Sequence, residues 1–201
     1  MTITPRHTVK EICTGNATLF AMGNERIFAE IKALPKVEEL RLRRGRRYSK
    51  DQVISARSLS GITMLELDIL NKTDDKRYFF KLLSVMLNIS ENEVGNLRFI
   101  RAYRYFIECI DQLGKIAKKW AELEMPMTAE EQQTHVKQPN RGMVSVCRQY
   151  AQLMEGSVRF DDVWNMPWGI VYEAFEAERC KNLQMRKMQA LQNAKIKSDR
   201  R

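Results

Sequence analysis

Between residues 60 and 125 the large apolar residues recur at intervals of three and four, the period of an amphipathic helix. In SLSGITMLELDILNK the positions Ile62, Leu65, Ile69 and Leu70 predict a short helix face. Asp74 or Asp75 can cap a second helix, whose stripe is Tyr78, Phe79, Leu82, Leu83 and Met86. SENE then reads as a capping box, with Ser90 at the cap and Glu93 three residues on. It opens a short helix carrying Val94 and Leu97. A longer helix follows, with Phe99, Tyr103, Phe106, Ile107, Ile110 and Leu113 on its face. Four helices joined by tight turns predict a bundle.

The flanks are less regular. NERIFAEIKALP puts Ile27, Phe28, Ile31 and Leu34 on one face, with Asn24 as cap and Pro35 as stop. In VEELRLRRGRRYSKDQV the apolar groups are too sparse for a helix face, and Gly45 between arginine pairs marks a turn, consistent with a short β-hairpin near residues 37–48. VSVCRQYAQLM places Val146, Cys147, Tyr150 and Met154 together before Gly156. In DDVWNMPWGIVYEAFEAERC, Asp162 is a candidate cap and Val163–Met166 a single turn. Pro167 suits the first position of the next helix, where its missing N–H costs nothing. The face from Trp168 continues through Val171, Tyr172 and Phe175, then less regularly through Leu183, Met188 and Leu191. After Cys180 the apolar groups thin out, predicting a frayed or extended end. The expected class is all-α, a small helical bundle with a C-terminal helix extending from it and the one short hairpin. Its expected parts are a basic N-terminal segment 1–59, a helical bundle 60–125, a linker or long loop 126–142, and a C-terminal helical segment with a basic tail 143–201.

Charge sharpens this division. The 201 residues carry a net +9. Residues 1–59 hold 12 basic and 6 acidic groups, residues 60–125 hold 10 of each, and residues 126–201 hold 12 and 9. A balanced middle with basic ends fits an anionic partner: nucleic acid, an anionic membrane or an acidic protein surface. RLRRGRR concentrates Arg41, Arg43, Arg44, Arg46 and Arg47 in a basic patch. No aromatic platform is interleaved with it, and no helix-turn-helix or zinc-finger spacing accompanies it. No apolar run approaches the roughly 20 residues that span a bilayer, and the first residues lack the apolar core of a signal peptide. Cys13, Cys109, Cys147 and Cys180 are widely spaced, so neither a metal site nor a disulfide frame is expected. His7 and His135 lie far apart, and no HExxH, GxSxG or P-loop pattern is present. No catalytic residue, metal or cofactor is therefore assigned, and a non-enzymatic role is expected.

The two tryptophans of WNMPWGIVYEAF stand four residues apart around a Met-Pro pair. Trp164, Pro167, Trp168, Tyr172 and Phe175 are read as a structural anchor, with Pro167 folding one indole back toward the other. Met185, Arg186, Lys187, Met188 and Leu191 beyond it are read as a partner-binding arm, since methionine adapts to varied apolar surfaces.

The succession SLSGIT, KRYFFKLLSVML, ISENEVGNL and, after the linker, WNMPWGIVYEAFEAE resembles the small helical tail assembly chaperones of tailed bacteriophages. The likeness covers roughly residues 60–125 and 160–180. The basic N-terminal segment departs from it. The resemblance implies a non-enzymatic assembly factor that binds tail tape-measure or tail-tube subunits in the cytoplasm of the bacterial host, with self-association as a further option. Two other readings stay open. One is a basic, helical nucleic-acid-binding or regulatory protein. The other is a structural tail or baseplate-associated component of the virion.

Overall fold

A computed structural model describes residues 7–10, 12, 25–43, 51–123 and 142–199. Asn24, the Gly45 turn, Arg44, Arg46, Arg47, Cys13, His135 and nearly all of the 126–142 linker lie outside the described residues. Among the described residues the chain is mainly helical, with one small hairpin. In chain order the elements are α1 (Glu25–Lys32), β1 (Glu39–Arg43), β2 (Asp51–Ser55), α2 (Met64–Asn71), α3 (Asp75–Leu87), α4 (Glu91–Val94), α5 (Phe99–Glu122), α6 (Met143–Leu153), α7 (Phe160–Val163) and α8 (Trp168–Asp199). They divide into two compact units. The first is Met1–Ile62 with Glu66–Lys115, and the second is Thr63–Leu65 with Ile116–Arg201.

In the first unit β1 and β2 pair antiparallel, with Leu40 opposite Ile54 and Leu42 opposite Gln52. The hairpin is real, but its second strand begins at Asp51, later in the chain than the pattern over 37–48 implied. Side chains alternate across a strand. Leu40 and Leu42 are accordingly buried, and Arg41 and Glu39 are exposed. The other edge of β1 is covered by the turn before α5. Arg43 N–H donates to the Asn96 carbonyl at 3.0 Å and Arg98 N–H to the Arg41 carbonyl at 3.2 Å. The same turn receives residues 7–10 on its far side, where Val9 N–H reaches the Leu97 carbonyl at 2.9 Å and the His7 carbonyl accepts from Phe99 N–H at 2.9 Å.

Ser90 and Glu93 form the reciprocal capping box expected of them. Ser90 Oγ accepts from Glu93 N–H at 3.3 Å, and Glu93 Oε2 accepts from Ser90 N–H at 2.9 Å. Asp74 occupies the cap position of α3 but makes no side-chain capping bond. The stripe of α3 divides by depth: Leu82, Leu83 and Met86 are buried, whereas Tyr78 and Phe79 are half-buried. Phe79 packs on Phe106 at 4.9 Å between ring centroids and on Tyr103 at 6.3 Å.

Three apolar positions fall elsewhere than predicted. Leu65 is exposed, because α2 starts at Met64 and buries Met64, Leu67 and Leu70 instead. Leu34 lies beyond the end of α1 and is exposed. Ile110 is also exposed, since the fully covered line of α5 in this unit is Ala102, Tyr105 and Cys109. Those residues keep helical spacing but include two small side chains. Tyr105 Oη donates to the Arg57 carbonyl at 2.6 Å, fixing α5 to the chain leaving β2. The Arg57 guanidinium itself holds Glu66 Oε1 at 2.7 Å and the Gly61 carbonyl.

In the second unit the single turn expected at Val163–Met166 is found three residues earlier, as α7. It runs Phe160–Val163, with Arg159 rather than Asp162 at the cap position; Asp161 and Asp162 sit in its first turn, where negative charge is favoured. α6 ends as expected before Gly156, whose φ of 80° is the left-handed conformation that glycine adopts without strain. Of the frayed or extended end expected after Cys180, the described residues show the extended form: α8 continues without a break through Cys180 to Asp199. From Ile170 to Asp199 there is no Gly or Pro, and Ala, Gln, Lys, Met, Leu and Arg dominate after Cys180. Those are good helix formers, so backbone propensity sustains the helix where apolar periodicity fades.

Candidate functional site

The Trp164–Trp168 stretch is positioned first by its backbone. The four N–H groups that open a helix have no partner within it. At the start of α2, two of them are satisfied from this stretch: Met64 N–H donates to the Met166 carbonyl at 3.0 Å and Leu65 N–H to the Trp164 carbonyl at 2.9 Å. Thr63 and Pro167 form a bridge beside these bonds. Pro167 immediately precedes α8, and its carbonyl accepts from Ile170 N–H at 3.1 Å, starting the helix. The order imposed by Pro167 is therefore directional: one carbonyl turns to α8, and its neighbours turn to α2.

The rings complete the attachment. The buried centre of the second unit is Met64, Val146, Cys147, Tyr150, Val163 and Val171, and Trp164, Trp168 and Phe175 pack against it half-buried. Tyr172 is buried. Trp164 meets Phe160 edge-on at 6.1 Å, while Trp168 meets Tyr172 at 5.9 Å. Each indole thus has its own ring partner. Lys119 Nζ lies 5.9 Å from the Trp168 ring centroid and 5.5 Å from that of Tyr172, within cation–π range.

Trp120 belongs to the same assembly. It meets Tyr172 at 5.7 Å and Phe175 at 6.1 Å. The predicted face of α5 stopped at Leu113 and passed over it. The spacing Ile116, Trp120, Leu123 carries the signal, since all three lie on one helical face and Ile116 and Leu123 are buried.

The proposed arm lies on the distal part of α8. Met185, Met188 and Leu191 are 47%, 62% and 66% exposed. Lys187 is exposed beside them and Arg186 is half-buried. No acidic residue occurs between Glu178 and Asp199, whereas Arg179, Lys181, Arg186, Lys187, Lys195 and Lys197 all fall there. This is a continuous cationic helix with apolar side chains in solvent.

The arginine patch is divided. Arg41 and Arg43 stand on β1, one exposed and one half-buried, opposite Val53 and Asp51 in register. The remaining three arginines lie outside the described residues. Asp51, opposite Arg43 on β2, is paired with Arg98 at 2.8 Å.

Among the described residues no cluster of His, Cys, Asp or Glu could hold a metal ion, and no helix is long and apolar enough to cross a membrane. The cysteines differ in environment. Cys180 is exposed, and Cys109 and Cys147 are buried. Burial pushes the Cys109 thiol up to about 12; the Tyr105 hydrogen bond opposes the rise, and the nearby Glu108 carboxylate adds to it. Only the thiolate is a strong nucleophile. Native protein treated with a thiol reagent at mildly alkaline pH is therefore expected to label at Cys180 well before Cys109, as read by peptide mass spectrometry. The same shift makes folding pH-dependent. Its contribution is complete below the unfolded thiol value of 9.0 and is lost as pH rises toward about 12. Cys109→Ala should flatten that alkaline loss in denaturation curves measured across the window.

No protein-family model matches the chain, and no curated protein or solved structure matches it.

Proposed function

We propose that the chain is a non-enzymatic assembly factor of the tailed-phage kind its element order resembles, acting in the host cytoplasm through its C-terminal helix on a tape-measure or tail-tube subunit. The observation that carries this reading is α8 itself. Its first turns are docked by Val171, Tyr172 and the surrounding rings, while its distal part exposes Met185, Met188 and Leu191. Large apolar side chains in solvent on a helix are the raw material of helix-in-groove recognition. Methionine allows one surface to fit more than one apolar groove.

The test is co-expression of the full chain, and of a chain ending after Cys180, with candidate tail subunits. Truncation is expected to leave the thermal midpoint nearly unchanged while reducing co-purification and the solubility of the subunit. Tight DNA binding that falls steeply with salt and is lost with Arg41, Arg43, Arg44, Arg46 and Arg47 would instead support the nucleic-acid reading. Recovery of the chain in purified particles would support a virion component.

A further inference from the structure

α5 belongs to both compact units, and a boundary between them falls inside it, at Lys115–Ile116. Its first part is fastened in the first unit. Ala102, Tyr105, Ile107 and Cys109 are buried there, Tyr105 Oη holds the Arg57 carbonyl, and Arg104 pairs with Glu108 at 3.3 Å. Its last part is fastened in the second unit by buried Ile116 and by the rings around Trp120. From Ile110 to Lys115, between these parts, no residue is buried. Gln112 and Leu113 are half-buried, and Ile110, Asp111, Gly114 and Lys115 are exposed. The one glycine of α5, Gly114, stands in this stretch. Packing does not ask for it: a Cβ at position 114 would meet no atom within 4 Å apart from the adjoining helix backbone. In a helix interior glycine is a poor choice, since it gives up the most backbone freedom and leaves the backbone bonds open to water. The weakest helix former in α5 therefore falls where tertiary support is least.

We infer that Gly114 is a joint in α5: the helix opens and bends locally there, so that the part fastened in one unit moves independently of the part fastened in the other. Local opening is easiest where buried side chains are few and backbone bonds face solvent, and both conditions hold from 110 to 115. The amides of residues 114–118 bond the carbonyls of residues 110–114 in an α-helix, so these are the bonds an opening at the glycine releases. Water entering the ladder on its exposed side is an established cause of helix bending. The chain also passes between the units at Ile62–Thr63 and Leu65–Glu66. Those passages are clamped: Ile62 and Met64 are fully buried, and the Arg57 guanidinium holds both Glu66 and the Gly61 carbonyl. The soft connection is therefore α5 alone.

Hydrogen exchange of the full chain, read amide by amide by nuclear magnetic resonance, tests the joint. The amides of residues 114–118 are expected to exchange faster than those of residues 103–109 in the same helix. Gly114→Ala should slow 114–118 by about fourfold, the ratio set by alanine's helix preference over glycine. The amides of 103–109 in the first unit and of 146–150 in the second should keep their rates, which a general gain in stability would not allow. Spin labels at Arg101 and Lys118 then read the bend directly. Both positions are exposed and they lie 17 residues apart, about 26 Å along a straight helix axis. Cys13 and Cys180 are first changed to serine, so that the labels go only to the two new sites. Electron double resonance is expected to give a broad distance distribution with a shorter-distance shoulder, which Gly114→Ala narrows and removes. Even protection from 103 to 118 in the native chain overturns the inference. So does a Gly114→Ala slowing spread equally over both units, and so does a distance distribution that the substitution leaves unchanged.

Discussion

Arg98→Met is expected to destabilise the first unit by about 3–5 kcal/mol, the usual cost of stripping one partner from a buried ion pair. Arg98 is 8% exposed, and its guanidinium makes two bonds to one oxygen of Asp51, from Nη2 at 2.8 Å and Nε at 3.2 Å. Methionine keeps much of the side-chain volume, so the loss is electrostatic rather than a large cavity. The carboxylate would remain covered, and its other oxygen, Asp51 Oδ1, already lacks a hydrogen-bond partner. Relief is expected from the second change: Asp51→Leu in the Arg98→Met background should recover much of the stability, because two apolar groups can replace a buried pair at little net cost. The reporter matters. All three tryptophans, Trp120, Trp164 and Trp168, belong to the second unit, so their fluorescence does not report on this site directly. Hydrogen exchange of peptides from α3 and from the start of α5 does. Unchanged protection in Arg98→Met would show that the pair contributes nothing.

What could be read from the sequence was local or bulky. The Ser90–Glu93 box is an i, i+3 relation and formed as expected. Leu82, Leu83 and Met86 were found because large apolar groups at helical spacing need a partner surface. Small buried groups leave no such trace. Ala102 and Cys109 line α5 where Ile110 was expected, since the deeper side of a helix can be the side with less bulk. Distance along the chain hides more. Nothing near Asp51 announces Arg98, and nothing near Met64 announces that carbonyls about a hundred residues later will satisfy its helix terminus. For the candidate site, the apolar groups thin out after Cys180, and among the described side chains beyond it Met185, Met188 and Leu191 are exposed while Leu183 and Arg186 are half-buried. That thinning left the backbone open between a frayed and an extended end, because helix propensity and apolar periodicity are separate properties; α8 keeps the first after losing the second.

Phe99→Ala should cost a similar amount, about 3–5 kcal/mol, for the opposite reason. Phe99 follows Arg98 directly and is 1% exposed, among the largest fully buried side chains of the described residues. Its ring lies 5.6 Å from that of Tyr103, nearly parallel, in the aromatic group that includes Phe79 and Phe106. Its backbone N–H meets the His7 carbonyl at 2.9 Å, so the same residue opens α5 and ties residues 7–10 to it. Alanine leaves that backbone bond possible and removes the ring. What is lost is transfer free energy plus the contacts of a cavity that fixed neighbours cannot fill. Phe99→Leu retains much of the volume and should cost less than half as much, whereas a hydrogen-bond or capping defect would not distinguish leucine from alanine. Urea denaturation followed by far-ultraviolet circular dichroism, with hydrogen exchange across 75–115, separates these cases. Equal losses for leucine and alanine would mean that the ring's packing is not what holds the start of α5 in place. Because Arg98 and Phe99 are adjacent and share the turn over β1, the double variant is expected to lose less than the two single losses combined. Once the turn has moved to fill the space left by the ring, the Arg98–Asp51 geometry has already been weakened.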